Sequence, residues 1–322
     1  MGHGAYSHDA HAALLQTRSG MSPNEVFAQR GCHALMNPKG VRVRESRDSI
    51  DHPHSLGVVF ALDVTGSMGD IPQLLATQQL PTFMKVILDC GITDPQLMFM
   101  AIGDANSDGA PLQVGQFESS AELMDQWLTR SYLEGGGGGS GEESYELGLY
   151  FVAQHIEMDC MVRRNTRGYL FMTGDELPYP TLSRHIVDSI IGDRLDDDLR
   201  VDELIAELQT SFHPFFLVPH PHRATRCGAR WRELLGDNMI VLDDPSDVCW
   251  ASAAIMVLTE GLVADVDALS DRLHKAGIPA DRRKPVIAAL EPYAESLSRH
   301  GRRSTATAKG FIDSVTKRFH RD

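Results

Sequence analysis

The residues best suited to chemistry lie in one short segment, Asp63-Val64-Thr65-Gly66-Ser67, directly after an apolar run. Its D-x-T-x-S spacing brings one carboxylate and two hydroxyls into a tight turn, in which glycine supplies backbone freedom. Three small oxygen donors that converge in this way suit a hard cation such as Mg²⁺, which prefers octahedral oxygen coordination and retains water ligands. The same residue types also cap helix N-termini, so capping without a metal is the alternative interpretation.

A second carboxylate follows another apolar run, at 169–172, where the chain continues into Asp175. In doubly wound sheets, ligands bind beyond the carboxyl ends of strands, at the position where the winding direction reverses. If the two strands are neighbours there, Asp63 and Asp175 face one crevice. Two carboxylates held that close repel each other unless a cation lies between them. The residues therefore predict a metal site that includes Asp63, Thr65, Ser67 and Asp175.

The segments FALDVTGSM and FMTGDE resemble the first and third metal loops of the von Willebrand factor A family. With the order of predicted strands and helices, the resemblance covers about residues 55–260. In that family these loops form a metal-ion-dependent adhesion site (MIDAS). The resemblance implies that Thr65 and Ser67 are direct ligands of Mg²⁺ or Mn²⁺, and that Asp63 and Asp175 bind directly or through water. It also implies a six-stranded sheet with a short antiparallel edge strand.

The family's second metal loop normally supplies a threonine, and this sequence departs from that pattern. The corresponding segment is a glycine run that ends near Ser140, with Glu143 three residues later. Ser140 is the nearest hydroxyl and completes the predicted ligand set, while Glu143 is another oxygen donor. The S-x-x-E spacing also matches a capping box for the following helix, so ligand and cap both stay open for Ser140. The run is not a phosphate-binding P-loop, because it lacks the required lysine.

Continuous apolar runs predict the strands that must position these loops. Runs of this kind read as central strands covered on both faces, and they alternate with helical patterns as in βαβ units. The runs lie at 58–62, 97–102, 169–172, 215–218 and 239–242, and an alternating segment at 112–117 suits a sheet edge. The predicted fold class is α/β, with a doubly wound, Rossmann-like, mainly parallel sheet flanked by helices.

Strand signals stop near residue 260, and a one-sided helical stripe follows, as Leu262, Val266, Leu269 and Leu273 show. Helical patterns recur near 283–297 and 304–318. We predict three parts, listed in chain order: an N-terminal extension at 1–54, a von Willebrand factor A domain at 55–260 and a helical C-terminal extension at 261–322.

Composition and charge limit the class of partner. The chain has 322 residues and a formal net charge of −14, which argues against nucleic acid or an anionic membrane as the main partner. No apolar stretch approaches the ~20 residues that cross a bilayer, and the N-terminus lacks the pattern of a secretory signal. The five cysteines are scattered and odd in number. Together these features predict a cytoplasmic protein.

The segment 104–109 copies the first six positions of an EF-hand calcium loop. The twelfth position holds Gly115 where the motif needs glutamate, and a strand rather than a helix precedes the segment. We interpret it as a turn rich in Asp and Asn, with Asp104 as a candidate group beside the main site.

The predicted function follows from the ligand types. Neutral hydroxyls leave a bound cation electron-poor, so that it attracts an incoming carboxylate as its last ligand. We predict a bacterial-type protein-binding module that docks an Asp or Glu of a partner, and the resemblance implies an AAA+ ATPase as one class of partner. No catalytic base is identified, so the chain is not predicted to be an enzyme. The alternatives are a metal-dependent hydrolase that uses the same cation to activate water and a metal-free scaffold.

Overall fold

The long apolar runs form one central sheet, which positions the predicted metal loops. A computed structural model describes residues 6–18, 20–66, 68, 70–135 and 141–300, without the side chains of residues 70 and 300. The strands are β1 (Arg44–Ser46), β2 (Leu56–Asp63), β3 (Pro95–Ile102), β4 (Leu112–Val114), β5 (Glu142–Glu143), β6 (Ile156–Met158), β7 (Gly168–Thr173), β8 (Leu177–Pro178), β9 (Thr181–Leu182), β10 (Leu199–Arg200), β11 (Phe212–Val218) and β12 (Met239–Val241).

Six of these strands make up the central sheet, in the order β12-β11-β7-β2-β3-β4. All neighbouring pairs are parallel except β3 and β4. β4 is therefore the edge strand that the alternating pattern predicted, and it is antiparallel as the resemblance implied. The chain runs outward from β2 through β3 to one edge, and from β7 through β11 to the other. The winding direction therefore reverses between the adjacent strands β2 and β7, and the predicted doubly wound sheet is confirmed.

Helices cover both faces of this sheet. They are α1 (His8–Thr17), α2 (Pro23–Val26), α3 (Asp70–Leu74), α4 (Leu80–Asp89), α5 (Ala121–Thr129), α6 (Tyr145–Gln154), α7 (Asp159–Arg164), α8 (Arg184–Ile190), α9 (Val201–Leu208), α10 (Pro221–Leu235), α11 (Val248–Thr259), α12 (Val266–Lys275) and α13 (Ala280–His300). A π-helical segment, Leu75–Gln79, joins α3 to α4. The helix predicted near 304–318 lies outside the described residues.

Aromatic side chains fill the two layers between the sheet and its helices. On one face, Phe60 of β2 contacts Phe83 of α4, with ring centroids 5.1 Å apart. On the other face, Phe216 of β11 stacks on Trp231 of α10 at 3.9 Å. The preceding residue, Phe215, points the opposite way and contacts Tyr293 of α13, as the alternation of side chains along a strand requires. Each strand of this kind is buried on both sides, which explains its continuous apolar sequence.

The segments before and after the central part of the chain pack onto it. Strand β1 pairs in parallel with β6, and α1 lies against α4 and α5. Arg18, directly after α1, forms an ion pair with Asp125 of α5 and donates to the Ala76 carbonyl in the π-helical segment at 3.0 Å. At the other end of the chain, α13 contacts α11 and α12. The division into three parts stays a prediction.

A network of ion pairs lies at the amino end of β2 and β7, remote from the predicted metal loops. Arg164 of α7 bonds to Asp48 at 2.6 Å and to the Ser55 carbonyl. Arg47 bonds to Asp159 at 3.0 Å. Arginine and aspartate side chains therefore form ion pairs at this end of the sheet.

None of the helices in the described ranges has both the length and the apolar character needed to span a membrane.

Candidate metal centre

The first predicted metal loop begins where β2 ends, at the buried Asp63. Its Oδ1 accepts hydrogen bonds from the Thr65 amide at 3.0 Å and the Thr65 hydroxyl at 2.6 Å. Its Oδ2 accepts a bond from the hydroxyl of Tyr145, the first residue of α6, at 2.6 Å. The carboxylate is therefore held from both sides. Ser67 lies outside the described residues.

The third loop meets the first because β7 lies beside β2, with Leu62 opposite Thr173. The next residue, Gly174, packs so closely against Tyr145 that an added Cβ would lie 2.2 Å from its hydroxyl. Only glycine leaves room there for the tyrosine that binds Asp63. Asp175, also buried, follows directly. The structure thus brings Asp63, Thr65 and Asp175 to neighbouring strand ends, as predicted.

Helix α10 fixes the third loop from the other side. Arg223 in its first turn pairs with Asp175 at 2.8 Å and lies 3.2 Å from the sulfur of Met68 in the first loop. One and two turns later, Arg226 pairs with Glu176 at 3.0 Å, and the Trp231 indole donates to the Glu176 carbonyl at 3.0 Å. The arginine and tryptophan contacts set the position of the loop relative to the helix.

The second loop contributes Glu143, which lies in β5 and pairs with β8. Its Oε2 is buried and has no hydrogen-bond partner among the described residues. The capping box considered for Ser140 and Glu143 is wrong, because α6 begins only at Tyr145 and Glu143 is not in its first turn. Ser140 itself lies outside the described residues, so its predicted role as a ligand stays a prediction.

Two buried carboxyl groups of the site resist ionisation. Burial raises the pKa of Asp63 to about 6, and the charge of Asp175 adds to that shift. Burial raises the pKa of Glu143 to about 9, with further contributions from Asp63 and Asp104. A carboxyl group with a raised pKa ionises more readily when a positive charge is placed beside it, so these groups favour the binding of a cation.

The turn at 104–109 forms the neighbouring wall, as the predicted Asp- and Asn-rich turn. Asp104 Oδ1 accepts from the Asn106 amide at 3.1 Å and from the Tyr179 hydroxyl at 3.2 Å. The Ser144 hydroxyl accepts from the Ala105 amide at 2.9 Å, which ties the turn to the residue before α6. Asp104 is not a predicted ligand, but its charge is close enough to contribute to the raised pKa of Glu143 in the second loop.

The donor set fits a hard divalent cation. Asp63, Thr65 and Asp175 offer oxygen atoms at adjoining strand ends, and the unpartnered Glu143 oxygen is a further acceptor. Within the described ranges, no group of three or more His, Cys, Asp or Glu side chains forms a complete metal-binding cluster. The predicted site is of a different kind, because it relies on hydroxyls, and Ser67 and Ser140 are not described.

Tyr145 and Arg223 were not predicted as members of this site. Tyr145 lies in an apolar stretch, where a tyrosine is typical of the core. Arg223 lies in the first turn of α10, which begins at Pro221. Proline is favoured at the first position of a helix, and Pro221 was the available signal that a helix begins there.

No protein-family model matches the chain, and neither does any curated protein sequence. Among solved structures it is similar to a von Willebrand factor type A from Catenulispora acidiphila, at 13% identity and a TM-score of 0.37 over 64% of this chain and 43% of that one. It is also similar to proximal thread matrix protein 1 from the mussel byssus with a zinc-occupied MIDAS motif, at 8% identity and a TM-score of 0.38 over 70% of this chain and 51% of that one. A third is the pilus adhesin SpaC from Lactobacillus rhamnosus GG in an open conformation, at 9% identity and a TM-score of 0.43 over 70% of this chain and 31% of that one.

The match spans about half or less of the length of each of these proteins. The first is a structure of the family that the two metal-loop motifs resemble, and the second has metal at a site of the predicted kind. At these identities and TM-scores, none of the three assigns a function to this chain. The α/β architecture itself rests on the strand order and helices described above.

Proposed function

We propose that this chain is a protein-binding module that works through a divalent cation. The cation, Mg²⁺ or Mn²⁺, would be held by Asp63, Thr65, Ser67 and Asp175, with Ser140 or Glu143 from the second loop. An Asp or Glu carboxylate of a partner protein would complete its coordination. The chain's own residues bind and orient the cation, while the metal supplies the attraction for the partner's carboxylate.

The observation that carries this proposal is the meeting of the first and third loops. Tyr145 bonds to Asp63 while packed against Gly174, so the two loops share one buried tyrosine. Burial raises the pKa of Asp63, and the nearby charge of Asp175 adds to that shift. The buried Glu143 oxygen, which has no hydrogen-bond partner among the described residues, is a further oxygen donor that a cation could bind. An oxygen-rich, negatively charged crevice of this kind is suited to Mg²⁺ or Mn²⁺.

Two finer parts of the proposal rest on the sequence resemblance alone. The first is that the partner belongs to a multiprotein assembly with an AAA+ ATPase, to which this chain would act as adaptor. The second is that the protein is of bacterial type. A cytoplasmic location is proposed on other grounds, from the five scattered cysteines.

Metal binding is tested by titrating Mn²⁺ and Mg²⁺ into chelator-treated protein in a calorimeter. We expect saturable binding by the wild type and at least a roughly tenfold weaker affinity for D175N, which removes one charged ligand. The matched control is D202N, which removes the same charge from an exposed residue of α9 that pairs with Arg200. Absence of saturable binding at millimolar metal would refute the proposal.

Carboxylate docking is tested by identifying proteins captured with Mg²⁺ present and with EDTA. Each captured candidate is then purified, and its exposed Asp and Glu residues are replaced singly by Asn and Gln. We expect binding to require both the metal and one such carboxylate, and to be lost in D175N but retained in D202N. Binding that persists in EDTA would contradict docking through the cation.

A further inference from the structure

The Arg223 guanidinium lies between the two loops that the cation would bridge. Its Nη1 is 2.8 Å from Asp175 Oδ2 in the third loop and 3.2 Å from Met68 Sδ in the first. Met68 directly follows Ser67, one of the predicted ligands. A positive group of the chain itself therefore contacts both sides of the predicted metal site.

We propose that Arg223 is a built-in competitor of the divalent cation, which neutralises Asp175 in the metal-free protein and must give way when metal binds. This inference rests on the proposed metal site. It adds a regulatory feature to that site: metal binding becomes an exchange of one cation for another, instead of a simple addition.

Electrostatics gives the direction of the effect. A guanidinium next to Asp175 lies within a few ångströms of any cation bound by that carboxylate. Two positive charges at such a distance repel, and even with a water-like dielectric the repulsion is enough to weaken divalent binding roughly tenfold. The guanidinium also occupies Asp175 Oδ2, which restricts the carboxylate to a geometry set by the arginine.

Exposure indicates which partner moves during the exchange. The Arg223 side chain is 33% exposed, whereas that of Asp175 is 6% exposed. The arginine can therefore turn toward solvent on its flexible stem, while the carboxylate stays buried just beyond the end of strand β7. Arginine stems retain apolar contacts while their charged ends reach water, so this movement exposes little apolar surface.

A purely structural role for Arg223 predicts the opposite result. If the guanidinium only orients Asp175 for the metal, its removal frees the carboxylate to rotate and weakens metal binding. If it competes, its removal strengthens metal binding. The two roles are distinguished by the sign of one measured change.

The experiment measures the Mn²⁺ affinity of the full chain by calorimetry for the wild type, R223Q, R223K and R230Q. We expect R223Q to bind Mn²⁺ roughly tenfold more tightly, because the competing charge is gone. R223K keeps the charge and should stay within about threefold of the wild type. R230Q is the matched control, since it removes an arginine of the same helix whose partner, Glu233, also lies on α10.

Thermal unfolding with and without Mn²⁺ provides a second readout. Metal-free R223Q should melt below the metal-free wild type, because Asp175 loses its ion pair. Its increase in melting temperature on adding Mn²⁺ should exceed that of the wild type, in keeping with the tighter binding.

Each outcome has a defined meaning. Unchanged or weaker Mn²⁺ binding by R223Q, with normal binding by the wild type, overturns the competition and leaves the proposed metal site standing. An equal gain in R230Q also overturns it, because the effect would then be one of general charge. Failure of the wild type and all the variants to bind Mn²⁺ overturns the metal site itself, and the competition with it.

Discussion

Tyr145 brings a hydroxyl to Asp63 from 82 residues further along the chain. The tyrosine is fully buried and lies edge-on to Trp231 and Phe216, so its hydroxyl has one fixed direction. A buried phenol needs a hydrogen-bond acceptor, and a buried carboxylate needs donors, so the two groups satisfy each other. The bond therefore fixes the orientation of the Asp63 carboxylate.

We predict that Y145F weakens Mn²⁺ binding about three- to tenfold, because Asp63 loses the donor that fixes its orientation. The matched control is Y150F on the same helix, whose hydroxyl donates to Asp193 at 2.8 Å away from the metal loops. Both variants should lose about 1–3 kcal/mol of stability in urea unfolding, since each leaves a carboxylate with one bond fewer. Equal Mn²⁺ affinity of Y145F and the wild type in calorimetry would show that Tyr145 has only a structural role.

At this scale the sequence predicted the residues that are close along the chain and missed those brought in by packing. Asp63 and Thr65 are two residues apart, and Asp175 follows a recognisable strand, so local spacing was enough. Tyr145 and Arg223 reach the site only because α6 packs against β3 and α10 packs against β11 and β12. Nothing in their local sequence states which strand ends they will meet.

Among the elements, the central strands could be predicted from the sequence, whereas strand β1 and the π-helical segment could not. Strand β2 has eight consecutive buried residues, and an apolar run of that length indicates a central strand. Strand β1 is Arg-Glu-Ser, which gives no such signal, and it is extended because β6 offers a parallel partner. The π-helical segment Leu75–Gln79 likewise gives no signal of its own, because one extra residue per turn leaves little trace in the apolar pattern.

Arg18 ties α1 to that π-helical segment. It pairs with the buried Asp125 of α5 and donates to the Ala76 carbonyl. A π turn shifts the helical hydrogen-bond pattern, so carbonyls in and beside it accept partners from outside the helix. The N-terminal segment thereby contacts the helix that follows the first metal loop.

We predict that R18Q lowers the free energy of unfolding by ~3–5 kcal/mol, because Asp125 would stay buried without its countercharge. The double variant R18Q/D125N should recover part of this loss in urea unfolding. K85Q is the control, since Lys85 pairs with Asp89 at the exposed surface of α4 and should contribute less than ~1 kcal/mol. A loss in R18Q no larger than in K85Q would contradict the role assigned to the buried pair.

For the molecule as a whole, the N-terminal segment also introduces a dependence of stability on pH. His11 of α1 is fully buried, shares a hydrogen bond with Tyr6 at 2.9 Å and has an unpartnered Nε2. Burial lowers its pKa from 6.5 to about 4, although the charge of Asp125 opposes the shift. The folded protein therefore keeps this imidazole neutral over a range in which the unfolded chain protonates it.

We predict that His11 costs the folded state up to ~3 kcal/mol as the pH falls from 6.5 toward 4. The sign follows from proton uptake, since the unfolded chain binds the extra proton first, and full stability is present above pH 6.5. Urea unfolding of H11Q should show a flatter dependence on pH over this interval. H8Q changes an exposed histidine of the same helix and should keep the wild-type slope. Parallel curves for H11Q and the wild type would contradict the prediction.

The two ends of the central sheet differ in how their carboxylates are stabilised. At the amino end, arginines supply the partners, since Arg47 pairs with Asp159 and Arg164 with Asp48. At the carboxyl end, Arg223 pairs with Asp175, but Asp63 is held by the hydroxyls of Thr65 and Tyr145. An acidic partner of the proposed kind would be slowed by repulsion from Asp63, and a bound divalent ion would remove that repulsion. The bound metal would then set the rate of association as well as the lifetime of the complex. Its electric field would also orient the partner before the two proteins touch.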